Sequence, residues 1–536
     1  MEQDDDEGVG YISESHFVKS IDYDQAVPLL NLPSKGRERI STNVYELNIP
    51  IYAPDILTTK SHRREYESFT PKLAFAIAAA AIGSAFQHGY NTGVLNNPED
   101  VMKEWITEVA NNRTSETTTP EQVSLIWSII VAIFCFGGMI GGMLTGTIAD
   151  RFGRKGGLLL NNVFVLIAVV LECTAKPARS YEMIAAGRFF IGINSGLNAG
   201  LTPMYLAEIS PVSLRGAVGT VYQLVITISI FIAQVLGLEY ILGGDRWPTL
   251  LAITIVPAIF QVITLPICPE TPKFLLLSRG KEVDAQRALT WLRGSVSVTD
   301  EMNMMRSEFE AVKLVPKTTL KEIFTNSALR IPLIISLTMM LAQQLSGINA
   351  IMYFSTQIFK DAHLKQDDAQ YATLGMGGLN VFMTVVSLIL VEKAGRKTLL
   401  LVGFAGMTVV VSILTITMVY SENSEFARYM CIVLILVFII LFASGPGSIP
   451  WFLVGELFNQ SARPMATSLA VMVNWAANFA VGLGFPLIKD AIGPYVFIIF
   501  VVFLALSTVF IYKKVPETKN KTIEEISAMF RQQSYQ

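Results

Sequence analysis

Charge is scarce in this chain of 536 residues: 16% are Asp, Glu, Lys or Arg, against 51% that are hydrophobic. A soluble domain carries about 25% charged residues, so the composition excludes an ordinary water-soluble globule and points to repeated passage through a membrane. The formal net charge of -3 leaves no surplus of base to hold nucleic-acid phosphates. Cysteine is rare too. Cys135, Cys173 and Cys431 stand singly inside apolar runs and Cys268 at the end of one, which argues against a disulfide framework and against a metal site. No Gly-x4-Gly-Lys-Ser/Thr run is present to cradle the phosphates of ATP, and no cofactor is expected. The acidic start, Asp4, Asp5, Asp6 and Glu7, lacks the basic flank and apolar core of a signal peptide. The first hydrophobic span is therefore expected to direct targeting and to stay in the mature protein.

What is abundant is hydrophobic runs of spanning length. Twelve occur, near 73–94, 123–148, 157–175, 182–206, 217–241, 247–267, 329–359, 371–391, 398–420, 428–456, 464–488 and 493–512. An even number places both termini on one side. The bases after the second run (Arg151, Arg154, Lys155), after the eighth (Lys393, Arg396, Lys397) and after the last (Lys513, Lys514) make that side cytoplasmic by the positive-inside rule. Asn112-Arg113-Thr114, in the first outer loop, is then a glycosylation acceptor. Residues 1–70 lack sustained apolar periodicity and read as a disordered cytoplasmic tail. Two bundles, 71–268 and 329–513, flank a charged stretch over 269–328 that includes a helix-like segment from Glu282 to Leu292, and a short cytoplasmic tail covers 514–536. A helical linker domain fits the charged stretch; an unstructured linker is the alternative.

The two bundles echo each other. Gly153-Arg154-Lys155 recurs as Gly395-Arg396-Lys397, and Glu208 with Arg215 recurs as Glu456 with Arg463. Matched halves are what transporters use to expose a midplane site to each side in turn. Within the seventh run, Gln343-Gln344-Leu345-Ser346-Gly347-Ile348-Asn349 puts three amides in hydrocarbon beside a glycine that loosens the helix. Such amides either join neighbouring helices or line a cavity for a polyhydroxylated ligand. Further neutral polar stripes stand at Gln223, Thr227 and Gln234, at Asn380, Thr384 and Ser387, and at Asn474 and Asn478.

The segments Gly89 to Gly93, Asp150 to Lys155, Pro203 to Glu208, Gln343 to Asn349, Gly445 to Trp451 and Pro516 to Lys519, in that order, resemble the sugar-porter branch of the major facilitator superfamily, most closely the facilitative glucose transporters. The resemblance covers about 71–530 and implies an all-α membrane protein of twelve transmembrane helices in two pseudo-symmetric six-helix bundles with a cytoplasmic helical linker. It implies no enzyme, but uniport of a hexose, D-glucose first, across the plasma membrane by a chain acting as a monomer. By the same resemblance the sugar ligands are Gln223, Gln343, Gln344, Asn349, Asn380, Trp451 and Asn474, with Trp475 and Asn478 nearby. Asp150 with Arg151 and Arg154, Glu208 with Arg215, Glu392 with Arg396, and Glu456 with Arg463 form an intracellular gate, placed to bridge the bundles when the site faces outward. The breakers Gly347, Gly445, Pro446, Gly447 and Pro450 are expected to let the seventh and tenth spans bend.

Two departures from the family pattern are present: Ala443 stands where glucose carriers usually have Glu, and Met340-Leu341-Ala342 where glucose-selective members often have Gln-Leu-Ser. Dual glucose and fructose specificity is one alternative. Related proton symporters carry Asp where this chain has Asn91, which favours uniport over a second alternative, proton–sugar symport; His88 is the nearby titratable group. A transporter-like sugar sensor ranks last, because the C-terminal tail is short.

Overall fold

The computed structural model describes residues 69–114, 117–211, 214–295, 297–314, 318–459, 461–521 and 523–534. The tail expected to be disordered lies, but for its last two residues, outside them. The first span starts where the Thr70 hydroxyl accepts the Leu73 N–H at 3.1 Å and Pro71 occupies the first turn, whose N–H would otherwise go unused. It runs as α1 (Pro71–Ala80), a π-helical turn over Ala81–Ala85, and α2 (Phe86–Gly93). A lateral helix, α3 (Glu99–Thr114), leads to α4 (Pro120–Phe152), opened by a reciprocal cap between Thr119 and Gln122. Then follow α5 (Arg154–Ala178), α6 (Tyr181–Ile209), α7 (Arg215–Leu236), and α8 (Trp247–Ala252) with α9 (Ile255–Thr264) as the sixth span.

The charged stretch folds into α10 (Glu282–Arg293), α11 (Thr299–Lys313) and α12 (Leu320–Thr325). Leu276, Ala285, Leu289, Val298, Met302 and Met305 give it a small core of its own. Arg293 ties it to the first half, donating to the Ile209 carbonyl at 2.8 Å and pairing with Glu301 at 2.6 Å. The second half comprises α13 (Ser327–Leu345), α14 (Ile348–Asp361), α15 (Gln366–Ala394), α16 (Arg396–Tyr420), α17 (Glu425–Ser444), α18 (Ile449–Leu457), α19 (Arg463–Ile492) and α20 (Val496–Lys514). Beyond it, α21 (Ile523–Ser534) docks on α13 and α18 and buries Ile526 and Phe530, one turn apart. Sequence reading assigned no structure to that tail.

Nine stretches among the described residues are long and apolar enough to cross a bilayer. One of them, 463–514, is two helices broken at Gly493, and Pro71–Gly93 and Tyr181–Ile209 complete twelve. The outer faces confirm the solvent. Val163, Leu166 and Val170 on α5, Val256, Ile259 and Ile263 on α9, and Val402, Val409 and Ile416 on α16 are exposed at helical spacing, an arrangement stable against hydrocarbon and not against water. The halves meet where α4 packs on α19 and α7 on α15. One end of the bundle carries α10 to α12, the linker end, and the far end lies opposite.

Candidate binding site between the two halves

The seventh span breaks where sequence reading placed a breaker. Gly347 adopts φ +94, a left-handed conformation that strains any residue with a Cβ, and an added Cβ would also come within 3.1 Å of the Phe500 ring. The break turns three amides toward one another. Gln343 is 3% exposed, and its Nε2 donates to the carbonyls of Pro446 (3.0 Å) and Gly447 (2.8 Å), so the break in the seventh span is held against the break in the tenth. Its Oε1 accepts from Asn474 Nδ2 at 2.9 Å, Asn474 Oδ1 accepts from Gln344 Nε2 at 3.0 Å, and Gln344 Oε1 accepts from Asn349 Nδ2. Gln343, Gln344, Asn349 and Asn474 thus form one uncharged amide cluster spanning α13, α14 and α19.

The remaining candidates sit around it unequally. Asn478, one turn from Asn474, accepts from the Tyr353 hydroxyl at 3.0 Å. Trp475 is buried at the seam between the halves: it stacks on His88 of α2 with ring centroids 5.8 Å apart, meets Phe134 edge-on, and lies against Gly138 of α4, where a Cβ would come within 2.6 Å of the indole. The His88 Nδ1 lies 3.0 Å from the Tyr222 hydroxyl, beside Gln223 in sequence. Gln223 is exposed and Asn380 is buried, and neither side chain makes a hydrogen bond among the described residues. Trp451 is 42% exposed, one turn beyond the tenth-span break that Gln343 contacts. Thr384 and Ser387 spend their hydroxyls on their own helix, on the carbonyls of Asn380 and Thr384. Of the two departures, Ala443 is buried at the end of α17, and Met340 accepts a weak contact from Asn474 Nδ2 at 3.5 Å. Sequence reading missed Tyr353 and Tyr222 as neighbours of the site and singled out His88 only as a titratable group near Asn91, because each reaches the site from a helix face that only packing defines.

The family described as "Sugar (and other) transporter" matches residues 76–530. This chain belongs to the sugar transporter family. The solute carrier family 2 facilitated glucose transporter member 1 of Gallus gallus is 45% identical over 464 residues, 86% of this chain and 94% of that protein. Member 3 of Homo sapiens is 44% identical over 470 residues, 88% of this chain and 94% of that protein. Among solved structures, the partially occluded inward-open form of the xylose transporter XylE from E. coli superposes with a TM-score of 0.71 at 24% identity, covering 84% of this chain and 100% of that one. The proton:xylose symporter XylE bound to 6-bromo-6-deoxy-D-glucose gives 0.66 at 24%, covering 85% and 99%. That likeness is one of fold, the twelve-helix, two-bundle major facilitator architecture.

In this sugar transporter the linker-end charges pair differently from the sequence expectation. Arg154 pairs with Glu208 at 2.8 Å and Arg396 with Glu456 at 2.9 Å, each within one half. Arg215 and Arg463, expected to partner those glutamates, turn back onto the carbonyls of Ser210 (3.4 Å) and Phe458 (3.1 Å) at the ends of the preceding helices. Asp150 and Arg151 are exposed; Arg151 lies over the Phe152 ring and its carbonyl accepts from Arg279. The Glu392 side chain lies outside the described residues. The reason for the new pairing is local. Gly153 and Gly395 take φ +82 and +88, which points the following arginine across to the next hairpin, and leaves room for an acid that a Cβ would strike. That acid is Glu270 in the first half, accepting from the N–H groups of Arg154 and Lys155, and Glu517 in the second, accepting from Arg396 and Lys397. Thr271 and Thr518 add hydroxyl donors to Glu208 and Glu456. The sequence signal for these four was a repeat not used: Pro269-Glu270-Thr271 recurs as Pro516-Glu517-Thr518.

Burial opposes the charge on Glu517, but the N–H donors of Lys519, Arg396 and Lys397 outweigh it and hold the carboxyl below its ordinary value. The far end is closed by hydrogen bonds between the halves. Asn96 donates to the Met352 carbonyl (3.0 Å) and Ser355 (2.6 Å) and accepts from the Thr356 N–H (3.1 Å). Asn97 accepts from the Thr356 hydroxyl at 2.7 Å, and Asp100 pairs with Lys360.

Proposed function

We propose that this protein is a facilitative hexose carrier with D-glucose as its foremost substrate, moving sugar by exposing one site to each side in turn. The observation that carries this reading is the uncharged amide cluster of Gln343, Gln344, Asn349 and Asn474, built on a helix break where backbone and side chains can rearrange around a ligand. Hydroxyls need both donors and acceptors, and primary amides supply both without a charge, which a neutral sugar has nothing to pair with. Gln223, Asn380, Trp451, Trp475 and Asn478 complete the site in this reading, with the unpartnered Gln223 and Asn380 amides free to take sugar hydroxyls. The glucose-transporting relatives support the substrate class. The sealed far end and the separate, intra-half ion pairs at the linker end correspond to a carrier open at the linker end, and the linker end is taken as cytoplasmic. Both termini then face the cytoplasm, the exposed Asn112 on α3 is an outer glycosylation site, the plasma membrane is the location, and the monomer is the working unit.

A second reading, proton–sugar symport, has one observation in its favour. Glu172 of α5 is fully buried with Oε1 unpartnered, and Arg188 of α6 is fully buried with Nε unpartnered. Against it, Asn91 is neutral and already engaged, donating to the Gln87 carbonyl at 2.8 Å and to Thr254 at 3.2 Å. Counterflow of labelled glucose in proteoliposomes, with and without a pH gradient, separates the two. Saturable exchange that ignores the gradient and shows trans-acceleration supports the carrier; accumulation driven by the gradient replaces it with a symporter. Challenge with fructose, galactose and dehydroascorbate in the same vesicles ranks the substrates and tests the Met340 position.

A further inference from the structure

The polar stripe on α7 meets three different environments. Gln223 is exposed, Thr227 bonds the Leu224 carbonyl at 2.9 Å, and Gln234 is 0% exposed with neither Oε1 nor Nε2 partnered. Gln234 is therefore not a cavity residue. It is shut between the halves, against α15, so close to Gly377 that a Cβ there would overlap its Oε1. The polar groups beside it are joined to one another. Its own carbonyl accepts from Asn97 Nδ2 at 2.7 Å, Asn97 Oδ1 accepts from the Thr356 hydroxyl at 2.7 Å, and Thr356 meets Thr373 at 2.8 Å. An orphaned primary amide thus sits beside a chain of hydrogen bonds that runs through its own carbonyl.

We propose that Gln234 is a built-in weakness of the far-end seal, an amide stripped of partners only while α7 and α15 are packed together, which biases the empty carrier toward opening there. A buried polar group without a partner is penalised in the state that buries it and relieved in the state that wets it. A packed interface with two arrangements responds to that difference by shifting populations. An apolar side chain of the same length would leave the sealed state without the penalty, and the carrier would dwell there. The inference rests on the alternating-access reading above, but its readout needs no sugar, so failure of one is distinguishable from failure of the other.

The test is hydrogen exchange by mass spectrometry on the full chain in nanodiscs. Gln234→Met is expected to slow exchange about tenfold in far-end peptides covering 95–114 and 355–366, a shift of about 1.4 kcal/mol, while linker-end peptides around 150–156 and 393–398 do not slow. Equal slowing at both ends would mean a general gain in stability, and no change at either would mean an inert amide; both overturn the proposal. Gly377→Ala supplies an independent arm. In the parent it presses on Gln234 Oε1 and should speed far-end exchange, whereas in a Gln234→Ala background the added methyl meets only the Phe231 ring, at 3.2 Å, and should speed it much less. The same effect of Gly377→Ala in both backgrounds also overturns the proposal.

Discussion

At the scale of single residues, Gln343 carries the most. It donates to two carbonyls at the tenth-span break and accepts from Asn474, so truncation leaves three groups short of a partner. Gln343→Ala is expected to weaken sugar binding by about 1–3 kcal/mol at normal surface expression, read as the half-saturation constant for equilibrium exchange. Unaltered affinity would remove Gln343 from the site. His88 tests the seam: His88→Phe keeps a ring to stack on Trp475 but loses the Tyr222 contact, so a changed affinity with an intact fold would assign the imidazole to the site, and an unchanged one to packing. The amides of the seventh span were legible from residue type and position alone, because an amide in a hydrophobic run is conspicuous. Their partners were not. Tyr353 and Tyr222 look like ordinary span aromatics until α14 and α7 are placed beside α19 and α2.

At the scale of elements, two devices recur. The first is the break at Gly347, where the left-handed backbone costs a residue with a side chain about 1–2 kcal/mol. Gly347→Ala should lower the melting temperature of the purified protein and impair transport together, since the new methyl also meets Phe500; an unchanged melting temperature would show that the break tolerates a side chain. The second is the glycine, arginine and glutamate unit at the linker end. Because the folded Glu517 carboxyl titrates below its ordinary value of 4.5, the stability it contributes is complete above that value and is lost as pH falls through the folded one. Glu517→Gln should melt at a lower temperature than the parent at neutral pH, with the gap closing in acid. A gap independent of pH would assign the effect to shape rather than charge. The paired motifs were visible in sequence as repeats, and bridging pairs were expected for a site facing outward; in the state seen here the arginines and glutamates pair within each half instead. Arg215 and Arg463 follow helix ends whose open carbonyls claim them first, and the positive φ at Gly153 and Gly395 that redirects the other arginines is a backbone fact, unreadable from charge spacing.

At the scale of the whole molecule, the seal between Asn96 and α14 should set which side the empty carrier faces. Asn96→Ala removes bonds to Met352, Ser355 and Thr356 at once. With the far end taken as the outer face, it should lower the half-saturation constant for entry and raise that for exit, compared in right-side-out and inverted vesicles; equal constants before and after would place the seal elsewhere. The number of spans and the doubling into halves followed from the sequence, because hydrocarbon thickness and the expense of charge in lipid leave few choices. The structure decided what sits across from what: that Gln343 braces the tenth-span break, that the arginine and glutamate pairs close within a half, and that Gln234 is sealed between halves instead of lining a cavity. Spacing along a helix says which residues share a face, but the occupant of the facing surface is set by how α4, α7, α15 and α19 pack, and that is a property of the assembled bundle.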